Sequence, residues 1–201
     1  MTLTSLEHDS LIAVTSSTEI VILKPALNSK GQWNEIACRS YLEQLARKIK
    51  ACCELRFRLA LGHYFPGDDS IARSYLTAQT TLFVGKQRCP EKYCYFYQDL
   101  ILPVLLDGLK ESWQLKELLH PLAHLKKIDR KGILLRSLTQ WYKNDGQPQK
   151  TASALFIHRN TLEYRLNKVS QLTGLDLGQL DDRFLLYVAM QLDQRSMTLN
   201  E

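Results

Sequence analysis

At 201 residues, with 45% hydrophobic and 23% charged side chains, the chain has room for one large domain or two small ones, and its composition excludes disordered, collagenous and disulfide-stapled classes. No apolar run is long enough to span a bilayer, and Glu7 and Asp9 stand where a secretory signal would carry Lys or Arg, so a cytoplasmic protein without membrane contact is expected. The net charge of +5 is unevenly spread: residues 130–171 hold eight basic side chains against Asp145 and Glu163, a field that attracts polyanions, although a solvated helical face would read the same way on charge alone.

In chain order, Leu11–Thr15 and Glu19–Leu23 are β-rich runs separated by Ser16-Ser17-Thr18, a hairpin signal. Pro25, Asn28 and Gly31 break the chain. From Trp33 to Glu54, Ile36, Tyr41, Leu42, Leu45, Ile49 and Cys53 recur at helical spacing, with Lys and Arg on the other side. Leu55–Leu61 alternates with period two and predicts a strand. Pro66-Gly67-Asp68-Asp69-Ser70 is a turn ending in helix-capping residues, and a second helix runs from Ser70 to about Gly85. Tyr93–Tyr97 is a short aromatic strand. The order β-β-α-β-α-β predicts an α+β sheet with both helices on one face, of the nucleotide-cyclase-like (ferredoxin-like) kind. Those folds begin with a further strand and helix that have no counterpart here. The expectation is therefore a fragment, or a sheet without its central strand.

Five cysteines (Cys38, Cys52, Cys53, Cys89 and Cys94) is an odd number. Only Cys89 and Cys94 approach the spacing of a zinc pair, and reduced, partly buried thiols are the simpler reading. No metal and no cofactor is expected.

From Asp99 onward the pattern turns helical. Residues 100–128 read as linking helices, with a break before Pro121. Asp129 is placed to cap a helix over Gly132–Lys143, whose Ile133, Leu134, Leu138 and Trp141 face one way, and Asn144-Asp145-Gly146 ends it. Pro148 opens a short helix to about Leu155. The turn Phe156-Ile157-His158-Arg159 leads to a longer helix from Asn160 to Thr173, closed by Gly174. Leu162, Leu166, Val169 and Leu172 form its buried stripe. Thr161, Arg165 and Lys168 lie on one polar line, and Asn160, Tyr164, Asn167 and Gln171 on the next. Ala152 and Ala154 allow a close helix crossing, with Leu155 and Ile157 packing at the turn. Short helix, tight turn and longer polar-faced helix are the parts of a helix-turn-helix, although a solvated helical hairpin has the same geometry and this turn contains no Gly. The domains are thus placed at 1–99 (α+β), 100–128 (linking helices) and 129–201 (all-α).

The run Ala154–Leu166, with its string His158-Arg159-Asn160-Thr161-Leu162-Glu163-Tyr164-Arg165-Leu166, closely resembles the carboxy-terminal helix-turn-helix of the sugar-diacid regulators, within the wider group of purine-catabolism-type regulators. So do Leu172–Leu177 and Asp181–Phe184. Ile22–Ser29, Ser70–Tyr75 and Tyr95–Leu100 resemble the degenerate cyclase-like middle domain of the same branch. The resemblance implies a sequence-specific transcription regulator acting on double-stranded DNA, in that branch an activator of genes for uptake and use of glucarate, galactarate and glycerate. The family's amino-terminal diacid-sensing domain has no match in these residues, so a sugar-diacid effector is not expected to bind this chain.

On this reading the Asn160–Thr173 helix enters the major groove. His158, Arg159, Asn160, Thr161, Tyr164 and Arg165 are the candidates for base contacts, and Lys150, Lys168 and Arg136 for phosphate. His158 has an equally good alternative as a capping residue of the turn. Two rival functions stand beside this one. A nucleotidyl-transfer enzyme needs paired acids for two metals and a glycine-rich phosphate site, whereas Val14–Glu19 offers no Gly and a single acid. Asp68 and Asp69 sit where capping is the simpler role. An interaction module is the other: the degenerate domain and linking helices would form a homodimer and place two reading helices on a palindromic site. The apolar tail Asp181–Leu192 would pack on the helix-turn-helix or join that dimer surface.

Overall fold

The computed structural model describes residues 10–193 apart from Ala26, Cys53, Leu55, Lys110 and Glu111. The expectations placed on Glu7, Asp9, Cys53 and Leu55 fall outside the described residues. The chain divides into two compact units, one of residues 1–82 and 91–99, the other of 83–90 and 100–201.

In the first unit, β1 (Leu11–Ser16) and β2 (Glu19–Leu23) pair antiparallel, Leu11 opposite Leu23, with a register shift between Val14 and Ser16. The turn is held locally, Ser16 Oγ accepting from Thr18 N at 3.2 Å. The break after β2 is an Asn turn, with Asn28 Oδ1 accepting from Lys30 N and Gln32 N at 2.9 and 3.0 Å. Asn34 then starts α1 (Glu35–Cys52), its Oδ1 accepting from Ala37 N at 3.0 Å. The helix buries Leu42, Leu45 and Ala46, while Ile36, expected on the same stripe, is exposed in the first turn.

The strand expected over Leu55–Leu61 is shorter. β3 is Leu59–Leu61, because its partner β4 (Cys94–Phe96) offers three residues, with Leu59 opposite Cys94 in a parallel pair. The crossover between them is α2 (Ser70–Arg88), three residues longer than its sequence signal. It runs close to the strand end: a Cβ at Gly62 would stand 2.2 Å from the Ser74 carbonyl oxygen, so glycine is needed there for close approach. A 3-10 turn, Tyr97–Asp99, follows β4. The single expected sheet is instead two two-stranded sheets, β1-β2 and β3-β4. β1 carries outward apolar residues, Leu11 and Val14, both exposed. Among the described residues no strand joins the two pairs, which is the form of an α+β sheet without its central strand.

The second unit is helical: α3 (Ile101–Asp107), α4 (Trp113–Ile128), α5 (Ile133–Lys143), α6 (Pro148–Ala154), α7 (Arg159–Thr173) and α8 (Leu180–Leu192). The break expected before Pro121 does not occur; α4 runs through it. Proline in a helix interior costs about 3 kcal/mol, but Leu122 and Leu125 on the following turn are fully buried, and packing of two such side chains offsets that cost. Both belong to one core with Leu135, Leu138 and Trp141 of α5, Val169 of α7, and Leu186 and Met190 of α8. Within α5, Leu138 and Trp141 are buried and Leu134 packs against the core as the sequence predicts, whereas Ile133 is exposed and Leu135 takes its place in the core. The tail is in that core too, so α8 packs in cis, although its Phe184 stays exposed. Tyr142 ties α5 to α8, its hydroxyl donating to the Arg183 carbonyl at 2.6 Å. Arg88 donates to the Gln191 side chain at 3.1 Å and to its backbone carbonyl, and Lys126 pairs with Asp193.

Among the described residues, Cys38, Cys52 and Cys94 are free thiols, and burial pushes Cys38 and Cys94 up from the ordinary range. Among the same residues, no helix is long and apolar enough to cross a membrane.

Candidate nucleic-acid interface

Three local devices build the region around α7. Asp129 caps α5 as the sequence predicts, its carboxylate accepting from Ile133 N at 3.0 Å and Leu135 N at 2.8 Å. At the other end, Asp145 and Gly146 both take left-handed backbone (φ +52 and +72), and Gly146 N donates to the Trp141 carbonyl at 2.9 Å. Pro148 occupies the first turn of α6, whose Thr151 and Ala152 are buried. Ala154 is exposed, so of the two alanines expected to allow a close helix crossing only Ala152 is buried.

The turn between α6 and α7 solves its lack of glycine in an unusual way. Phe156 itself takes the left-handed conformation, φ +55, and its side chain is 96% exposed. Ile157 N donates to the Ala152 carbonyl at 3.0 Å and closes the turn. His158 is the N-cap of α7: its Nδ1 accepts from Asn160 N at 3.2 Å, and the residue is exposed. Of the two roles open to His158 on sequence, the cap is therefore present in the structure.

In α7, Leu162 and Val169 are fully buried and Leu166 and Leu172 pack partly against the same core. On the opposite side Asn160, Tyr164, Asn167 and Gln171 are all exposed. Thr161 is exposed beside them. Arg159, the first residue of the helix, is engaged through its Nε with Glu163 Oε1 at 2.8 Å. Arg165 differs from the rest. It lies about 60° around the helix from Leu162, is half-buried, and donates through Nη1 to Ser137 Oγ of α5 at 3.2 Å. Ser137 is fully buried and donates in turn to the Ile133 carbonyl at 2.8 Å. Of the expected phosphate contacts, Lys150 is exposed in α6, Arg136 is exposed on α5, and Lys168 is half-buried with its Nζ 3.5 Å from Gln171 Oε1.

The arrangement thus presents amide, hydroxyl, phenol and imidazole groups along one open side of a 15-residue helix, flanked by cations. That inventory suits the edges of bases in a groove. The pattern of the PucR C-terminal helix-turn-helix domain matches residues 134–192, and that of the GGDEF-like domain matches residues 1–84. The carbohydrate diacid regulator of Escherichia coli (strain K12) is 59% identical over 192 residues, 96% of this chain and 50% of that protein. The chain is thus similar to the sugar-diacid regulators over nearly all of its length, a GGDEF-like part being followed by a PucR-type helix-turn-helix.

The chain is also similar to the DNA-binding transcriptional activator AdeR of Bacillus subtilis (strain 168), 26% identical over 90% of this chain and 44% of that protein. The proline-responsive transcriptional activator PutR of the same organism is 36% identical over 35% of this chain and 18% of that protein. The chain spans about half the length of the curated relatives that it matches over most of its own residues. Around the helix-turn-helix, two residues escape a sequence reading of the interface. Lys131 lies between the capping Asp129 and the start of α5, and Phe156 shows its left-handed backbone only in the structure. Both line a cleft of about 360 Å³ together with Arg136 and Arg165.

Proposed function

We propose that this chain is a sequence-specific DNA-binding transcription regulator that lays α7 in the major groove. The observation that carries the reading is the exposed row Asn160, Tyr164, Asn167 and Gln171, set opposite the buried Leu162 and Val169. Asn160, Thr161 and Tyr164, with His158 through Nε2 and Arg159 through the part of its guanidinium not engaged by Glu163, are the base-reading groups. An Asn bidentate to adenine or an Arg bidentate to guanine is worth about 1–3 kcal/mol of discrimination. Lys150 and Lys168 hold phosphate and add affinity without sequence information.

The name of the Escherichia coli relative, and the activator role printed for AdeR, support activation of genes for handling sugar diacids as the biological role. Two copies placing their reading helices on a palindromic site is the assembly that fits a helix-turn-helix protein. An enzymatic role has little support. The cyclase-like hairpin brings one acid, Glu19, whose Oε1 accepts from the Tyr75 hydroxyl at 2.6 Å, and this contact lowers its pKa.

Selection of bound duplexes from a random pool at two salt concentrations tests the proposal. The expected result is enrichment of one motif, with inverted symmetry if two copies bind, and affinity that falls steeply with salt. Recovery of unenriched sequence at both salt concentrations would reject it.

A further inference from the structure

Beside the reading row of α7 lies a concavity with an unusual lining. Lys131 comes from the turn before α5, Arg136 from its first turn, Arg165 from α7, and Leu155, Phe156 and Ile157 from the turn between α6 and α7. Three cations line it, and among the described residues none of them has a carboxylate partner. The neighbouring acids are committed elsewhere: Asp129 to the backbone of α5, Glu163 to Arg159. Like charges gathered without a counter-ion oppose folding and favour an anion from outside.

The position says which anion. A helix seated in a major groove about 12 Å wide meets bases with one face and the sugar-phosphate backbones with its flanks. Arg165 follows Tyr164 directly and so points about 100° away from the reading row. The Ser137 hydroxyl draws it toward α5 and holds it over the cleft. Phe156 adds a second, independent observation. A left-handed backbone at a non-glycine residue is disfavoured, and an aromatic ring exposed over 96% of its surface returns nothing to the fold. Its ring stands at the rim of the same cleft.

We propose that the Lys131–Arg136–Arg165 cleft clamps one backbone phosphodiester of the bound duplex, with Phe156 packing on the adjoining deoxyribose. Arg165 is then a backbone residue rather than a base reader, and Lys131 and Phe156 join the interface. This rests on the DNA-binding reading above.

The test titrates the full chain with its selected duplex and with a scrambled duplex across a salt series. K131A/R136A removes two exposed side chains, and a thermal melt checks that its fold is kept. The expected result is weaker binding to both duplexes by the same factor, with a salt slope smaller by about one for the phosphate lost. F156A weakens both duplexes alike, and R165A does the same without relaxing preference at any base pair. A methylphosphonate at the clamped position costs the wild type affinity and costs K131A/R136A none. Unchanged affinity and slope in K131A/R136A would overturn the clamp while leaving DNA binding intact, as would relaxed preference at one base pair in R165A. Cleft-dependent binding of inorganic phosphate, with duplex binding unaffected by K131A/R136A, would assign the cleft to a free anion and overturn the clamp as well. A wild-type chain that binds no duplex would sink the regulator reading, and the clamp with it.

Discussion

Glu163 is the single acid of α7 and sits one helical turn from Arg159, close to where phosphates and bases would pass. Exposed pairs of this kind contribute about 0.3–0.5 kcal/mol. Glu163→Gln is therefore expected to leave the melting temperature nearly unchanged and to raise affinity for duplex DNA several-fold, by freeing Arg159 and removing a repelling charge; a melt and a titration check it. Tyr142 carries a prediction about pH. Burial is the main cause holding its phenol well above the ordinary range, and its hydroxyl donates to the Arg183 carbonyl. The native state thus keeps a proton that the unfolded chain releases near pH 10. The contribution is intact below that pH and is lost as pH rises above it. Tyr142→Phe should cost about 1 kcal/mol at neutral pH and flatten the alkaline fall in stability, measured by urea unfolding at neutral and alkaline pH; an equally steep fall would refute it. At this scale the sequence was partly legible. It left His158 open between cap and base contact, because a residue type alone does not say where a ring nitrogen points. It was silent on Phe156, because only the backbone shows a phenylalanine in a glycine's conformation.

Helices with strong periodicity and caps were the legible elements: α5, α6 and α7 lie where Asp129, Asn144–Gly146, Pro148 and Gly174 place their ends. The sequence misled where tertiary packing overrode a local rule. Pro121 marks a break by propensity, yet α4 passes through it because Leu122 and Leu125 are held in the core on the next turn. Two outcomes follow. Leu125→Ala should destabilise the helical unit by about 2–5 kcal/mol, as a core residue does and a linker residue does not. Pro121→Ala should stabilise it by about 1–3 kcal/mol, the helix-interior cost of proline less its restriction of the unfolded chain. Chemical denaturation of the two variants decides both, and a neutral Leu125→Ala would contradict the shared core. Of the strands, β1 and β2 lie where the hairpin signal places them, and β3 was the least legible. A three-residue parallel ladder leaves no periodic signature, and Arg56–Arg58 continues the alternation without a ladder partner in β4.

Across the whole molecule, charge carries the functional argument. The concentration of basic residues over 130–171 is set on the helical unit, and the cations without carboxylate partners flank α7. The family string from His158 to Leu166 made the interface recognisable, while the division between reading row and flank came from the fold, through Ser137 and the turn at Phe156. Sedimentation of the full chain with and without duplex tests the expected pairing of copies: two chains per inverted-repeat duplex are predicted, and a single chain at saturation would argue against a palindromic site.

The central claim is that the open side of α7 reads sequence. Its most direct measurement is the ratio of affinities of Asn160→Ala and the wild-type chain for the selected duplex and for a scrambled one, at one fixed salt concentration. The account predicts that Asn160→Ala loses about 1–3 kcal/mol on the selected duplex and almost nothing on the scrambled one. Equal losses on both, or none on either, would contradict it.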